Sequence, residues 1–193
     1  MGQKLILAST SPYRRRLLER LQIPFSCAAP NIDESAHANE SPEQLVARLA
    51  MAKAQRISPQ NKGALVIGSD QVASLDQHIM GKPGNKLTAT EQLLACSGQA
   101  VRFHTGLAVR CENTGFQQVH VELFTVYFRH LSKRVIENYL ERDQPFDCAG
   151  SFKCEGLGIA LFSKMEGNDP TSLEGLPLIT LTSILTLAGL DII

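Results

Sequence analysis

Two apolar runs constrain the fold more than anything else in this chain: "KLILA" at 4–8 and "GALVIGSDQVASL" at 63–75. Between them lie two segments that each open on Ser-Pro and continue with helical apolar spacing. Residues 4–8 read as a buried strand. Ser11 is placed to cap a helix, with Pro12 at its first position and Leu17, Leu18 and Leu21 on one face. Phe25 to Ala28 reads as a second short strand, and "NIDESAHANE" as a polar loop. The second helix has a capping box, Ser41 with Gln44 three residues on, and Leu45, Leu49 and Ala52 along one face. With the run at 63–75 as a strand, the chain begins βαβαβ.

Further on, "DQHIMGKPGNK" reads as a loop and Thr88 to Cys96 as a helix. "AVRFHTGLAVRC" and "QVHVELFTVYFRH" alternate as paired strands around the turn "ENTG". Ser132 to Glu141 is a helix, and 147–162 a glycine-punctuated stretch ending in a strand. "GLPLITLTSILTLAG" closes as a helix with Pro177 near its start. Helices alternating with strands, plus an antiparallel-looking pair, predict an α/β fold with a mixed sheet and flanking helices. No linker-like run or internal repeat divides the 193 residues, so a single domain, 1–193, is expected.

Lys+Arg and Asp+Glu are both 19, and that balance argues against a protein that coats nucleic acid. Any anion site must be local. Cysteines 27, 96, 111, 148 and 154 form no CxxC pair, which fits reduced thiols and a cytoplasmic setting. Leu5 to Ala8 is too short an apolar run for a signal peptide. Met1-Gly2 begins like a myristoylation site, but Ile6 stands where Ser or Thr is wanted. The uncharged stretch 175–190 is shorter than a membrane span and carries Thr and Ser, so it reads as a buried helix.

Chemistry concentrates at a few points. In "ASTSPYRRR", a helix N-terminus with Ser9, Ser11, Arg14 and Arg15 can grip phosphate oxygens; a capped helix with a solvated basic face would look the same. Asp70 directly follows apolar β-formers, at the strand end where open α/β sheets place ligands. It can bind a divalent cation or activate water, and it can also simply form a turn. Lys53, Lys82 and Lys153, and the carboxylates Asp33 and Glu34, read singly as ordinary polar surface. Three glycines surround Lys153 and Glu155 in "GSFKCEGLG", which suits either close backbone approach to a ligand or a flexible turn. The chain has neither a Walker A loop nor a GxGxxG.

Taken together and in order, "LILASTSPYRR", "IDE", "KA" at 53–54, "IGSDQ", "GKP", "TG" at 105–106, "AGSFKCEG" and "GLP" resemble the Maf family of nucleoside triphosphate pyrophosphatases over residues 4 to about 178. The resemblance implies an elongated mixed sheet related to the inosine-triphosphate pyrophosphatases, with two lobes around a cleft. It implies hydrolysis between the α- and β-phosphates, a divalent cation (Mg²⁺ or Mn²⁺), a small nucleotide substrate, no membrane or stable nucleic-acid partner, and compatibility with a homodimer. Carried onto this sequence, it makes Asp70 the general base and Ser9, Arg14, Arg15, Lys53 and Lys82 the phosphate-binding set. Glu34, with Asp70, would lie at the metal.

Tyr13 after Ser-Pro, Gln71 after Asp70, and Glu155 resemble the branch acting on 7-methyl-GTP, and these three are the expected specificity residues. The N7-methylated base is cationic, and an aromatic face attracts a cation. A carboxylate such as Glu155 can accept hydrogen bonds from guanine N1–H and the exocyclic amine. The alternatives are the same chemistry on UTP, dTTP or another modified triphosphate, or a module that binds 7-methylguanosine without cleaving it.

Overall fold

The computed structural model describes residues 3–76 and 78–193. Met1-Gly2, where the N-terminal acylation motif would start, and Gln77 lie outside them. Among the described residues seven strands form one mixed sheet, in the order β2-β1-β3-β5-β6-β7, with β4 paired to β3. The strands are β1 (Leu5–Leu7), β2 (Ser26–Cys27), β3 (Leu65–Leu75), β4 (His78–Met80), β5 (Ala100–Cys111), β6 (Phe116–Phe128) and β7 (Phe162–Glu166). The helices are α1 (Pro12–Glu19), α2 (Pro42–Ile57), α3 (Lys86–Cys96), α4 (Lys133–Asp143) and α5 (Leu178–Leu187). β1 runs parallel to β2 and β3, whereas β3–β4 and β6–β7 are antiparallel. The α/β class and the mixed sheet are as the sequence predicts.

Two expectations need correction. The loop at 76–86 contains β4, because His78 to Met80 zip onto Leu75 to Ala73 before the chain turns away at Gly81. The last strand begins at Phe162 instead of ending there. Ahead of it, residues 149–151 and 157–161 form 3-10 turns. Glycine at 150, with φ of 75°, holds a left-handed conformation there that other residues rarely adopt.

The chain divides into two compact units, and β3, β5 and β6 contribute residues to both. In the first (Met1–Asp70, Thr105–Glu122, Asp169–Ile193), alternation along the strands sends side chains to two faces. Leu5, Leu7, Leu65 and Ile67 join Leu17 and Leu18 of α1 and Leu181 and Leu185 of α5 in one core. Ile6, Ala8, Val66 and Ala108 pack on Ala50 and Ala54 of α2. Lys53 and Ala54 are buried on this helix, while Ala52, expected on the apolar face, is only half-buried.

The α2 side is built from small residues because helix and sheet nearly touch. A Cβ on Gly68 would lie 2.0 Å from the Ala50 carbonyl oxygen, and one on Gly106 2.1 Å from that of Val46. Only glycine permits this approach, and it lets a side chain one turn along α2 reach Asp70, midway along β3.

In the second unit (Gln71–His104, Leu123–Asn168), Phe103, Phe128, Phe152 and Phe162 pack edge to face with ring centroids 4.7–5.8 Å apart, the geometry favoured by ring quadrupoles. The terminal helix α5 buries Leu178, Leu181, Ile184 and Leu185. No helix among the described residues is long and apolar enough to cross a membrane.

Candidate active site

β1 ends in Ala8, and Ser9 follows, 5% exposed, with its hydroxyl accepting the Ser11 N–H at 3.1 Å. Ser11 caps α1 by accepting the Arg14 N–H at 3.4 Å, and Pro12 occupies the first helical position. This brings Arg14 round so that its Nε donates to the Gly175 carbonyl at 2.9 Å. The Ser69 hydroxyl, fully buried on β3, donates to the same oxygen at 2.8 Å. Gly175 can offer that carbonyl because it takes a left-handed φ of 102°. Burial pushes the Arg14 guanidinium below its ordinary pKa, while the charges of Asp70 and Glu34 act in the opposite direction.

Lys53 is the centre of the arrangement. It is 4% exposed, and its ammonium donates to Asp70 Oδ1 at 2.6 Å and lies 2.7 Å from Glu34 Oε1. Asp70 is itself 8% exposed. Two buried charges survive together only when paired and hydrogen-bonded. Close packing of α2 through Gly68 and Gly106 makes this pairing possible, since Lys53 follows Ala50 by less than one helical turn.

Glu34 sits in the loop before α2, and a second ion pair holds that loop. Arg48 grips the Glu40 carboxylate with Nε at 2.6 Å and Nη2 at 2.7 Å, and Nη2 also donates to the Ser35 carbonyl at 3.0 Å. The Arg48 bonds hold the Glu40 carboxyl down at about 2 against an ordinary 4.5, and the His37 N–H adds to this. A depressed carboxyl stabilises the fold above its unfolded pKa, and the contribution fades as pH falls through the folded value. Glu40→Gln should therefore lower the melting temperature by a constant amount above about pH 5. The gap to wild type should close between pH 4.5 and about 2. A gap of equal size across a melting series from pH 7 to 2 would contradict this reading.

The other sequence-predicted residues are placed differently. Arg15 is exposed, pairs with Glu19 at 3.0 Å, and lines a cavity of about 390 Å³ with Ile23, Pro24, Phe25, Ser26 and Cys27. Tyr13 is half-buried, with the Arg16 guanidinium 5.1 Å above its ring centroid. In the second unit, Gln71 is half-buried on β3, Lys82 is exposed between β4 and α3, and Glu155 is exposed between the two 3-10 turns.

Sequence reasoning missed Ser69, the Gly175 carbonyl, and the Glu40–Arg48 clamp. A glycine inside an apolar strand, as at 68, is a signal of close backbone approach. It would have pointed to α2 as the helix that meets β3. Nothing local marks Arg48.

Fold and site together define an α/β protein that holds two cations and two carboxylates around the middle of β3, where Asp70 lies, and not around a strand end as the sequence suggested, beside a capped helix N-terminus. The family model described as Maf-like protein matches residues 4–188, and the chain belongs to that family. It is 56% identical over 189 residues to the 7-methyl-GTP pyrophosphatase of Pseudoalteromonas atlantica, covering 98% of this chain and 97% of that one. It is 52% identical over 191 residues to the protein of the same name from Albidiferax ferrireducens, covering 99% and 96%. The Ham1 protein of Staphylococcus aureus shares the fold, with a TM-score of 0.54 at 12% identity over 97% of this chain and 99% of its own.

Proposed function

We propose that this chain hydrolyses 7-methyl-GTP to 7-methyl-GMP and diphosphate. The observation that carries the reading is the buried Lys53–Asp70 pair with Glu34 and Arg14 around it, in a chain more than half identical to a protein named for that activity.

Asp70 takes the proton of a water molecule through Oδ2, since Oδ1 is engaged by Lys53. The water oxygen bonds to the α-phosphorus as the bond from that phosphorus to the bridging oxygen breaks, and diphosphate leaves. Lys53 holds Asp70 in place. Arg14, Ser9 and Lys82 hold phosphate oxygens, and charge-assisted donors of this kind stabilise the charge that spreads over them.

Glu34 and Asp70 both reach the Lys53 ammonium within 2.7 Å and so lie close to each other, and these two carboxylates would hold a hard divalent cation beside the Lys53–Asp70 pair, not in place of the ammonium. One or two carboxylates completed by substrate phosphates is how Mg²⁺ is usually held. Such an ion, Mg²⁺ or Mn²⁺, would supply charge neutralisation at the phosphates. Five free thiols support a cytoplasmic setting.

For base selection, Tyr13, Gln71 and Glu155 are the residues we assign. The Arg16 guanidinium over Tyr13 supports the idea that this ring attracts a cation. The test is pyrophosphate release with 7-methyl-GTP, GTP, UTP and dTTP. Wild type should favour 7-methyl-GTP, and Tyr13→Arg should cut the 7-methyl-GTP to GTP ratio of kcat/KM about tenfold. Binding without pyrophosphate release would reject the enzymatic reading. An unchanged ratio in Tyr13→Arg would reject the role given to the ring.

A further inference from the structure

The segment carrying Glu155 is folded against α4 by contacts that the reaction itself does not use. The Lys153 main-chain N–H donates to the Tyr139 hydroxyl at 3.0 Å, and the Lys153 ammonium donates to the Asp143 main-chain oxygen at 2.9 Å. Tyr139 is 3% exposed. The two glycines that follow are needed for this packing. A Cβ on Gly156 would stand 3.0 Å from Asp143 Oδ1, and one on Gly158 2.4 Å from the Lys153 carbonyl oxygen. The Gly156 N–H closes the turn onto that carbonyl at 3.3 Å. The "EGLG" glycines are thus filled by Asp143 and by the loop itself, and they do not confer flexibility. Burial raises the Tyr139 hydroxyl's pKa, the Lys153 N–H acts against this, and the Asp143 carboxylate adds to the rise.

From this geometry we infer that Tyr139 and Asp143 are positioning residues for base selection: they lock the backbone at Lys153 and Gly156, and so fix where Glu155, exposed between them, presents its carboxylate. Side chains outside a site act this way when they limit the conformations of a recognition loop. The inference rests on the reading of Glu155 as a contact to the base.

The experiment compares Tyr139→Phe, Glu155→Ala and the double variant on 7-methyl-GTP, with hydrogen exchange at the Lys153 amide as a second readout. Tyr139→Phe keeps the ring and removes the acceptor. It should raise KM about tenfold, the scale of one lost buried hydrogen bond, with kcat changed by less than about twofold. It should also speed exchange at Lys153. In the Glu155→Ala background the same change should add almost nothing, because the two act through one contact.

If Glu155→Ala leaves KM unchanged, the base-contact reading falls and the inference falls with it. If Glu155→Ala raises KM but Tyr139→Phe does not, or raises it equally in both backgrounds, the inference alone is overturned. Lys153→Met, which breaks the ammonium contact to Asp143 from the loop side, gives the same comparison should Tyr139→Phe not fold.

Discussion

If Asp70 is the general base as proposed, Asp70→Asn should slow turnover of 7-methyl-GTP by about 10²–10⁴-fold, the usual worth of such a group. The amide keeps the shape of the carboxylate and can still accept from Lys53 at Oδ1, and Glu34 remains as a counter-charge to the buried ammonium, so the protein should still fold, with a lowered melting temperature. What it loses is the basic oxygen that receives water's proton. The substrate grip proposed for Ser9 and Arg14 does not pass through Asp70, so kcat should carry most of the loss. Steady-state kinetics with a melting curve on the same preparation checks both halves. Near-normal kcat in a folded Asp70→Asn protein removes Asp70 from the chemistry.

Lys53→Met has the second large effect, and it acts on stability as well as rate. The Lys53 and Asp70 side chains are 5% and 11% exposed. Removing one partner of such a pair leaves an uncompensated buried charge, at a cost of about 3–5 kcal/mol. For a chain of this length that is a fall in melting temperature on the order of 10 °C. Glu34, more than half exposed, contributes little to that figure because water screens it. Turnover should fall by at least about 10²-fold, as when one preorganised donor is lost from a site.

A companion variant separates the two effects. Lys53→Met combined with Asp70→Leu leaves no orphaned charge, and apolar replacement of a buried pair is often neutral or stabilising. Melting temperature should recover while activity stays lost. A double variant that melts as low as Lys53→Met would show that the pair is not what the single change disrupts.

Where signals were local, the chain was readable. Ser11-Pro12 and Ser41 with Gln44 announced the starts of α1 and α2, because capping is decided within four residues. The hairpin strands at 100–111 and near 116–128 showed their period directly. β4 was hidden because three residues among Gly, Pro and Asn carry no usable period, and its pairing with β3 is what makes it a strand.

At the site, residue types alone left Lys53 as one more surface lysine. Its partner lies 17 positions away, on a strand. Only the family resemblance raised it, and the geometry explains it through two glycines that draw α2 onto the sheet. Arg15 and Arg14 are neighbours in sequence, yet helical geometry sends one to solvent and the other to Gly175. The Tyr139–Lys153 and Arg48–Glu40 contacts join separate elements and have no signature along the chain.

The central claim is that water, primed by Asp70, attacks the α-phosphorus. Single turnover of 7-methyl-GTP in ¹⁸O-labelled water, followed by mass spectrometry of both products, tests it most directly. The label should appear in 7-methyl-GMP, with unlabelled diphosphate released. Label in the diphosphate, or orthophosphate as the first product, would place the attack on another phosphorus and contradict the account.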